Sequence, residues 1–136
     1  MKMGHLKEIS IESHERTELI KLDTQVAKVV AESGVKDGVC HIYVPHTTAG
    51  VIINEGADPT VARDIVAKLA QLVPHAGRYT HAEGNADSHI KAALVGSSAT
   101  VLIKAGAPVL GTWQSIFFCE FDGPRRRQVL LRVADI

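Results

Sequence analysis

Apolar residues recur along this chain in two rhythms, and each change of rhythm marks an element. Leu6, then Ile9 and Ile11, predict a strand over residues 6–13, and residues 17–22 predict its hairpin partner, with Glu15 and Arg16 near the turn. A helical period takes over at residues 23–33, where Asp23 is the expected cap, Val26, Val29 and Val30 form a stripe for burial, and Gly34 is the stop. Lys36-Asp37-Gly38 reads as a turn. Residues 39–44 are rich in β-branched and aromatic side chains and predict a strand that Pro45 ends, with strand character resuming at residues 51–53. Asp58-Pro59 joins a cap to a proline at the first helical position, and the helix it opens runs to about residue 73 with Val61, Ile65, Leu69 and Leu72 facing a core.

Residues 74–79 form a loop that leads into residues 80–94, the stretch densest in chemistry. His81, Glu83, Asn85, Asp87 and His89 come first, and a helix follows with Asn85 as N-cap, Ile90 and Leu94 as its apolar anchor and Gly96 as its end. Further strands are predicted at residues 99–104, 112–121 and 128–133, with Asp122-Gly123-Pro124 turning between the last two. The strand at residues 112–121 is apolar on both faces, so it is expected to be central or covered. Strands come mostly in adjacent pairs rather than alternating singly with helices. That favours one antiparallel α+β domain over residues 1–136, not a doubly wound sheet.

Composition narrows the classes. At 136 residues, 46% hydrophobic and 22% charged, the chain suits one globular domain. Lys plus Arg equals Asp plus Glu at 15 each, so no net charge draws it to nucleic acid or to a membrane surface. No apolar run approaches the roughly 18 residues of a membrane span, and residues 1–11 show no signal-peptide core. Cys40 and Cys119 are distant and lack a metal or redox spacing, which fits buried thiols in a reducing compartment and a cytoplasmic protein.

Candidate chemistry lies in four places. Strand alternation puts Cys40, Ile42, Val44 and His46 on one face, so His46 leaves a buried face where Pro45 breaks the ladder. Thr47, Thr48 and Gly50 follow with hydroxyls and open backbone amides suited to an oxyanion, although a lone histidine here is more often structural. Asp58 is explained as a cap, whereas Glu55 shows no local duty and is a candidate metal ligand or general base. Trp113 fits core or subunit interface better than a stacking platform, and its neighbour Gln114 could read a heterocycle or a phosphate through its amide. Arg125, Arg126 and Arg127 form either a solvated strand edge or a phosphate clamp, with Arg125 and Arg126 nearest the turn. Asn85 and His89 share a helix face, and His46, His81 and His89 are the candidate ligands of a catalytic zinc. A Mg²⁺ ion would instead call on Glu55, Glu83 and Asp87.

Taken together these blocks resemble a known family. His46-Thr47-Thr48-Ala49-Gly50 with Asn54-Glu55 and Asp58-Pro59, then Asn85-Ala86-Asp87-Ser88-His89, then Leu110-Gly111-Thr112-Trp113-Gln114 and Glu120-Phe121-Asp122-Gly123-Pro124-Arg125 are similar to the YjbQ family, also labelled secondary thiamine-phosphate synthase. The likeness covers residues 9–133, with the blocks in the family's order and spacing and variable loops such as residues 104–108 between them. It implies a β-sandwich flanked by helices, a homotrimer, and a pocket where His46, His81, Asn85 and His89 meet near subunit boundaries.

The resemblance makes the leading expectation a transferase that joins a hydroxymethylpyrimidine diphosphate to a thiazole phosphate. In that reading His46, His81, His89, Asn85 and Glu55 serve catalysis, and Thr47, Thr48, Gly50, Gln114 and Arg125 hold substrate. A departing diphosphate needs cations, backbone amides or a bound divalent metal to stabilise it. Two alternatives stay open: a metal-dependent hydrolase with zinc-bound water, and a non-catalytic trimer that binds a phosphorylated metabolite.

Overall fold

The computed structural model describes residues 5–136; residues 1–4, part of the segment for which no signal-peptide core was expected, lie outside it. In order the elements are β1 (His5–Glu12), β2 (Glu18–Lys21), α1 (Asp23–Ser33), β3 (Gly38–Tyr43), β4 (Ala49–Glu55), α2 (Pro59–Leu72), α3 (Ala86–Val95), β5 (Ser98–Lys104), β6 (Ala107–Pro108), β7 (Gln114–Glu120) and β8 (Arg126–Asp135). They build a five-stranded sheet, β1-β8-β3-β5-β6, and a three-stranded sheet, β2-β7-β4, with every pairing antiparallel. The α+β expectation therefore holds. No described helix is long and apolar enough to cross a membrane.

Alternation along the strands puts the core between the sheets. Cys40, Ile42, Val101, Ile103, Val129, Leu131 and Val133 from the larger sheet meet Val51, Ile116 and Phe118 from the smaller, and α1 adds Val26, Val29 and Val30. The opposite face of β7 carries Cys119, and Phe121 follows just past the strand's end; both pack with Ala92 and Val95 of α3 and Leu69 of α2. This is why the strand reads apolar on both faces. It is the middle strand of its sheet, facing the other sheet on one side and helices on the other.

Several expectations are corrected. β2 is not the hairpin partner of β1: β1 pairs with β8 and β2 with β7. A period-2 pattern defines a strand's faces but not its neighbour, and here residues 13–17 carry the chain from one sheet to the other. Asp23 does not cap α1; its Oδ1 accepts from the Ile116 N–H at 2.7 Å and ties the helix to β7. Asp58 does cap α2, accepting from the Thr60 N–H at 2.9 Å. The apolar stripe of α2 is not enclosed within the chain, however, and no residue of this helix is fully buried. β6 had no signal in the pattern, being only two residues long.

The sharpest reversal is in α3. Ile90 and Leu94, the expected anchor, are 41% and 62% exposed, while Asp87, Ser88 and Lys91 are buried beside Ala86 and Ala92. The helix turns its charges inward. The reason lies in what waits for them beneath it.

Candidate functional site

Four stretches of chain that are distant in sequence are tied together at one end of the sandwich. Phe121 N–H donates to Thr48 O at 3.2 Å, Gly123 N–H to Arg16 O at 3.0 Å, and Ser13 N–H to Arg125 O at 3.0 Å. From α3, Ser88 Oγ donates to Phe121 O at 2.5 Å and Asn85 Nδ2 to Asp122 Oδ2 at 2.8 Å. The turn after β7 fits only because residue 123 is glycine, since a Cβ there would lie 2.4 Å from Glu15 O and 2.6 Å from Ser13 Oγ.

Two buried ion networks hold this end in place. In the first, Arg127 Nε and Nη2 donate to Glu120 Oε1 and Oε2 at 2.9 and 2.5 Å, and Nη2 also reaches Thr48 Oγ1 at 2.8 Å. Ser13 Oγ and the Asp122 N–H complete the carboxylate's partners at 2.7 and 3.0 Å. Burial alone would push the Glu120 carboxyl up, but Arg127 and these donors outweigh it and hold the group below its ordinary value. In the second, Arg16 grips Asp87 through two bonds of 3.0 and 3.1 Å, and Lys91 Nζ reaches Asp87 Oδ2 at 3.0 Å from one turn along the helix. Burial works against ionisation of Asp87 as well, yet the two cations bring its carboxyl down to about 2. With both oxygens engaged and no exposed surface, Asp87 is not available to a Mg²⁺ ion.

On this platform His89 separates two clefts. One, of about 280 Å³, is lined by His46, Thr47, Ala49, Ala92, Ser97 and His89 among others. The other, of about 370 Å³, is lined by Tyr79, Thr80, His81, Ala86, Ile90 and His89. The His81 and His89 rings meet edge to face with centroids 5.2 Å apart. His81 also stands 3.9 Å from the Glu83 carboxylate. His46 is half-buried, and its Nε2 accepts the backbone N–H of Gln128 at 3.0 Å. Burial, aided by the Arg127 charge, holds its imidazole below the ordinary value.

The other expected residues divide. Asn85 occupies the N-cap position of α3, but its side chain does not cap the helix; Nδ2 goes to Asp122, and Oδ1 is buried without a partner among the described residues. Arg125 binds the same Asp122, at 3.1 Å to its carboxylate and 2.9 Å to its carbonyl, and is half exposed. Thr47 borders the cleft with His46, whereas Thr48 is buried with its carbonyl and hydroxyl given to Arg127. Gly50 lies inside β4, where a Cβ would come within 2.5 Å of Gly96 O and 2.6 Å of Val95 Cγ2, so it allows close packing of α3. Glu55 and Gln114 face each other at the far end of β4 and β7, six residues from the Ala49–Glu120 pair and so about 20 Å away at the usual strand rise. Each has local work there. Gln114 Oε1 accepts the Gly111 N–H at 2.8 Å, and Glu55 Oε2 accepts the N–H groups of Ala57 and Asp58 at 3.0 and 3.3 Å, correcting its assignment as a residue without local duty. Trp113, beside Gln114, is 64% exposed rather than core.

No role was expected of Arg16, Lys91 or Glu120, and Arg127 was expected on a solvated edge or a phosphate rather than on the buried Glu120. Two of them had a signal for the inward role. Asp87 and Lys91 are an i,i+4 pair, and Arg127 shares the inward face of β8 with Val129, Leu131 and Val133. A zinc carried by His46, His81 and His89 does not fit one chain: among the described residues no three His, Cys, Asp or Glu side chains approach closely enough to hold an ion, and His46 Nε2 already accepts a backbone proton.

Comparison with known proteins agrees with this architecture. The sequence model described as UPF0047 protein YjbQ-like matches residues 7–135. A UPF0047 protein of Methanocaldococcus jannaschii is 53% identical over 90% of this chain and 89% of its own length, and UPF0047 protein YugU of Bacillus subtilis is 41% identical over 94% and 98%. A crystal structure of a YjbQ/UPF0047-family protein from Clostridium acetobutylicum superposes with a TM-score of 0.92 at 48% identity, covering 94% of this chain and 99% of that one. A structure from Aeropyrum pernix does so with a TM-score of 0.92 at 32% identity over 97% and 99%. The chain therefore belongs to the UPF0047 YjbQ-like family.

Proposed function

We propose that the two clefts sharing His89 receive the two partners of a group transfer between small phosphorylated heterocycles, of the thiamine-phosphate synthase type. One observation carries the reading. A bimolecular transfer gains most from holding both reactants side by side, and His89 lines both of two adjoining spaces of about 280 and 370 Å³, each the size of a small heterocycle. In the reaction a thiazole ring nitrogen attacks the methylene of the pyrimidine diphosphate. An N–C bond forms, the C–O bond breaks, and the electron pair leaves with diphosphate. What the protein must supply is donors for the departing oxygens and cations nearby. His89 and His46 border the space, Arg125 stands at the turn beside Asn85, and Mg²⁺ would arrive bound to the diphosphate as part of the substrate.

Self-association into a homotrimer belongs to the same reading. The exposed Leu72, Ile90 and Leu94 leave apolar helix surface for a second copy to cover. A cytoplasmic setting accords with two buried free thiols. The test supplies hydroxymethylpyrimidine diphosphate, thiazole phosphate and Mg²⁺ to protein purified from a host lacking thiamine-phosphate synthase. Thiamine phosphate and diphosphate should appear in equal amounts, and His89→Ala should abolish both. Phosphate release from one substrate alone would indicate the hydrolase, and tight binding without product would indicate a metabolite-binding protein. Either outcome ends the transferase reading.

A further inference from the structure

We infer that His46 is a dedicated hydrogen-bond donor, its proton fixed on Nδ1, that presents an N–H to an oxygen atom of the ligand and neither takes up a proton nor binds a metal. β3 and β8 pair in a register whose last members are Tyr43 and Leu130; continued, it would set Val44 opposite Val129 and then Pro45 opposite Gln128. Proline cannot continue the ladder. The Gln128 N–H that would have faced β3 is met instead by the imidazole of the following residue, with His46 Nε2 as acceptor at 3.0 Å.

That bond decides the tautomer. A neutral imidazole has one N–H and one acceptor nitrogen, and here the acceptor is Nε2, so the proton sits on Nδ1. Protonating Nε2 would set two N–H groups against each other, which removes His46 as a general base through that nitrogen. Metal ligation through Nδ1 fails for the same reason, because it would need the proton on Nε2. Histidines that bind metals give their second N–H to an acceptor, and the neighbour of His46 is a donor. Nδ1 lies on the side of the ring away from Gln128, has no hydrogen-bond partner among the described residues, and belongs to a ring that lines the cleft with Thr47, Ser97 and His89. A neutral N–H in such a place recognises a phosphate, carboxylate or carbonyl oxygen.

This deepens the transfer reading by giving His46 the ligand's oxygen, but its test needs no turnover. Full-length protein labelled with ¹⁵N in its histidines is observed at pH 7.5, first alone, then with inorganic pyrophosphate, then with Zn²⁺. The His46 signals should show a protonated Nδ1 and an unprotonated Nε2, and the Nδ1 proton should move downfield on adding pyrophosphate. Pyrophosphate binding should weaken about tenfold or more in His46→Ala, the expected loss for a bond to a charged acceptor. His46→Gln offers both an acceptor for Gln128 and an amide donor, so it should retain most of the affinity. A proton on Nε2, or a Zn²⁺-dependent shift at His46, overturns the assignment. A correct tautomer whose Nδ1 proton ignores pyrophosphate overturns it too, since the ring would then only close the ladder. Failure of the thiamine-phosphate assay leaves all of these signals readable.

Discussion

Lys91 Nζ and Asp87 Oδ2 meet at 3.0 Å, one helical turn apart, on a face of α3 where both side chains are almost wholly buried. Arg16 closes the carboxylate from the other side, and its own side chain reaches solvent. The helix that carries His89 is thus fastened by charge where most helices are fastened by leucine. Removing Asp87 leaves Lys91 buried beside an unpaired arginine, so Asp87→Ala should destabilise the fold by about 3–5 kcal/mol in urea denaturation. Lys91→Met keeps the Arg16 pair and adds apolar contact, so it should cost far less. The pH dependence follows from the same bonds. The folded carboxyl titrates at about 2, below its ordinary 3.8, so the unfolded chain takes up this proton first. Its contribution is complete above about pH 5 and fades as pH falls through 3.8 toward 2, and that part of the acid loss should be missing in Asp87→Asn.

The arginine run supplies a second contrast. Arg127→Ala strips a fully buried Glu120 of its cation and the buried Thr48 hydroxyl of its donor, and should cost about 3–5 kcal/mol. Arg126 is exposed on the opposite face of β8, and Arg126→Ala should stay within about 0.5 kcal/mol. Thermal melts of the two variants side by side are sufficient. Equal losses would mean that Arg127 is not the one turned inward.

These two networks mark where sequence reasoning stopped. Faces were legible: Cys40, Ile42 and Val44 inward, His41 and Tyr43 outward, the valines of α1 buried, Phe118 and Cys119 covered on opposite sides of a central strand. Partners were not, because a period of two is the same whichever strand lies alongside. Residues 17–22 were therefore given to β1 when β7 holds their strand. Helix α3 was misread for a related reason. Apolar spacing assumes that buried means apolar, and Ile90 and Leu94 satisfy the spacing while Arg16, 71 residues earlier than Asp87, decides which face goes in. In the site, His46, Asn85 and His89 were found as chemistry-bearing residues on defined elements. That Glu55 and Gln114 sit at the other end of the same two strands depends on strand length and register, which no spacing motif encodes.

Gly50 tests how tightly that geometry is held. A methyl group at residue 50 would stand 2.5 Å from the Gly96 carbonyl, a backbone atom that closes the end of α3. Gly50→Ala must push α3 away from β4 and with it His89 from the His46 cleft. The expected result is a loss of roughly 1–3 kcal/mol, as for overpacking elsewhere. Binding of pyrophosphate should weaken in the same variant even at temperatures where it remains folded. If affinity is unchanged while stability falls, the two clefts do not depend on the seating of α3.

The outward face of the same helix yields the last expectation. Leu94 is 62% exposed, Ile90 is 41% exposed and lines the His81 cleft, and Leu72 of α2 is 67% exposed. Apolar side chains of this size on a helix whose inward face is charged are explained if a second copy covers them. Leu94→Glu would then place an unpaired carboxylate in that contact while leaving the Asp87 network untouched. Light scattering after size exclusion should show a trimer for the parent chain and a monomer for the variant, with little change in the circular dichroism of the monomer. The clefts also report on the assembly: if they lie at the subunit boundary, ligand affinity should fall together with the mass. A variant that keeps the parent's mass would place the self-contact on some other face.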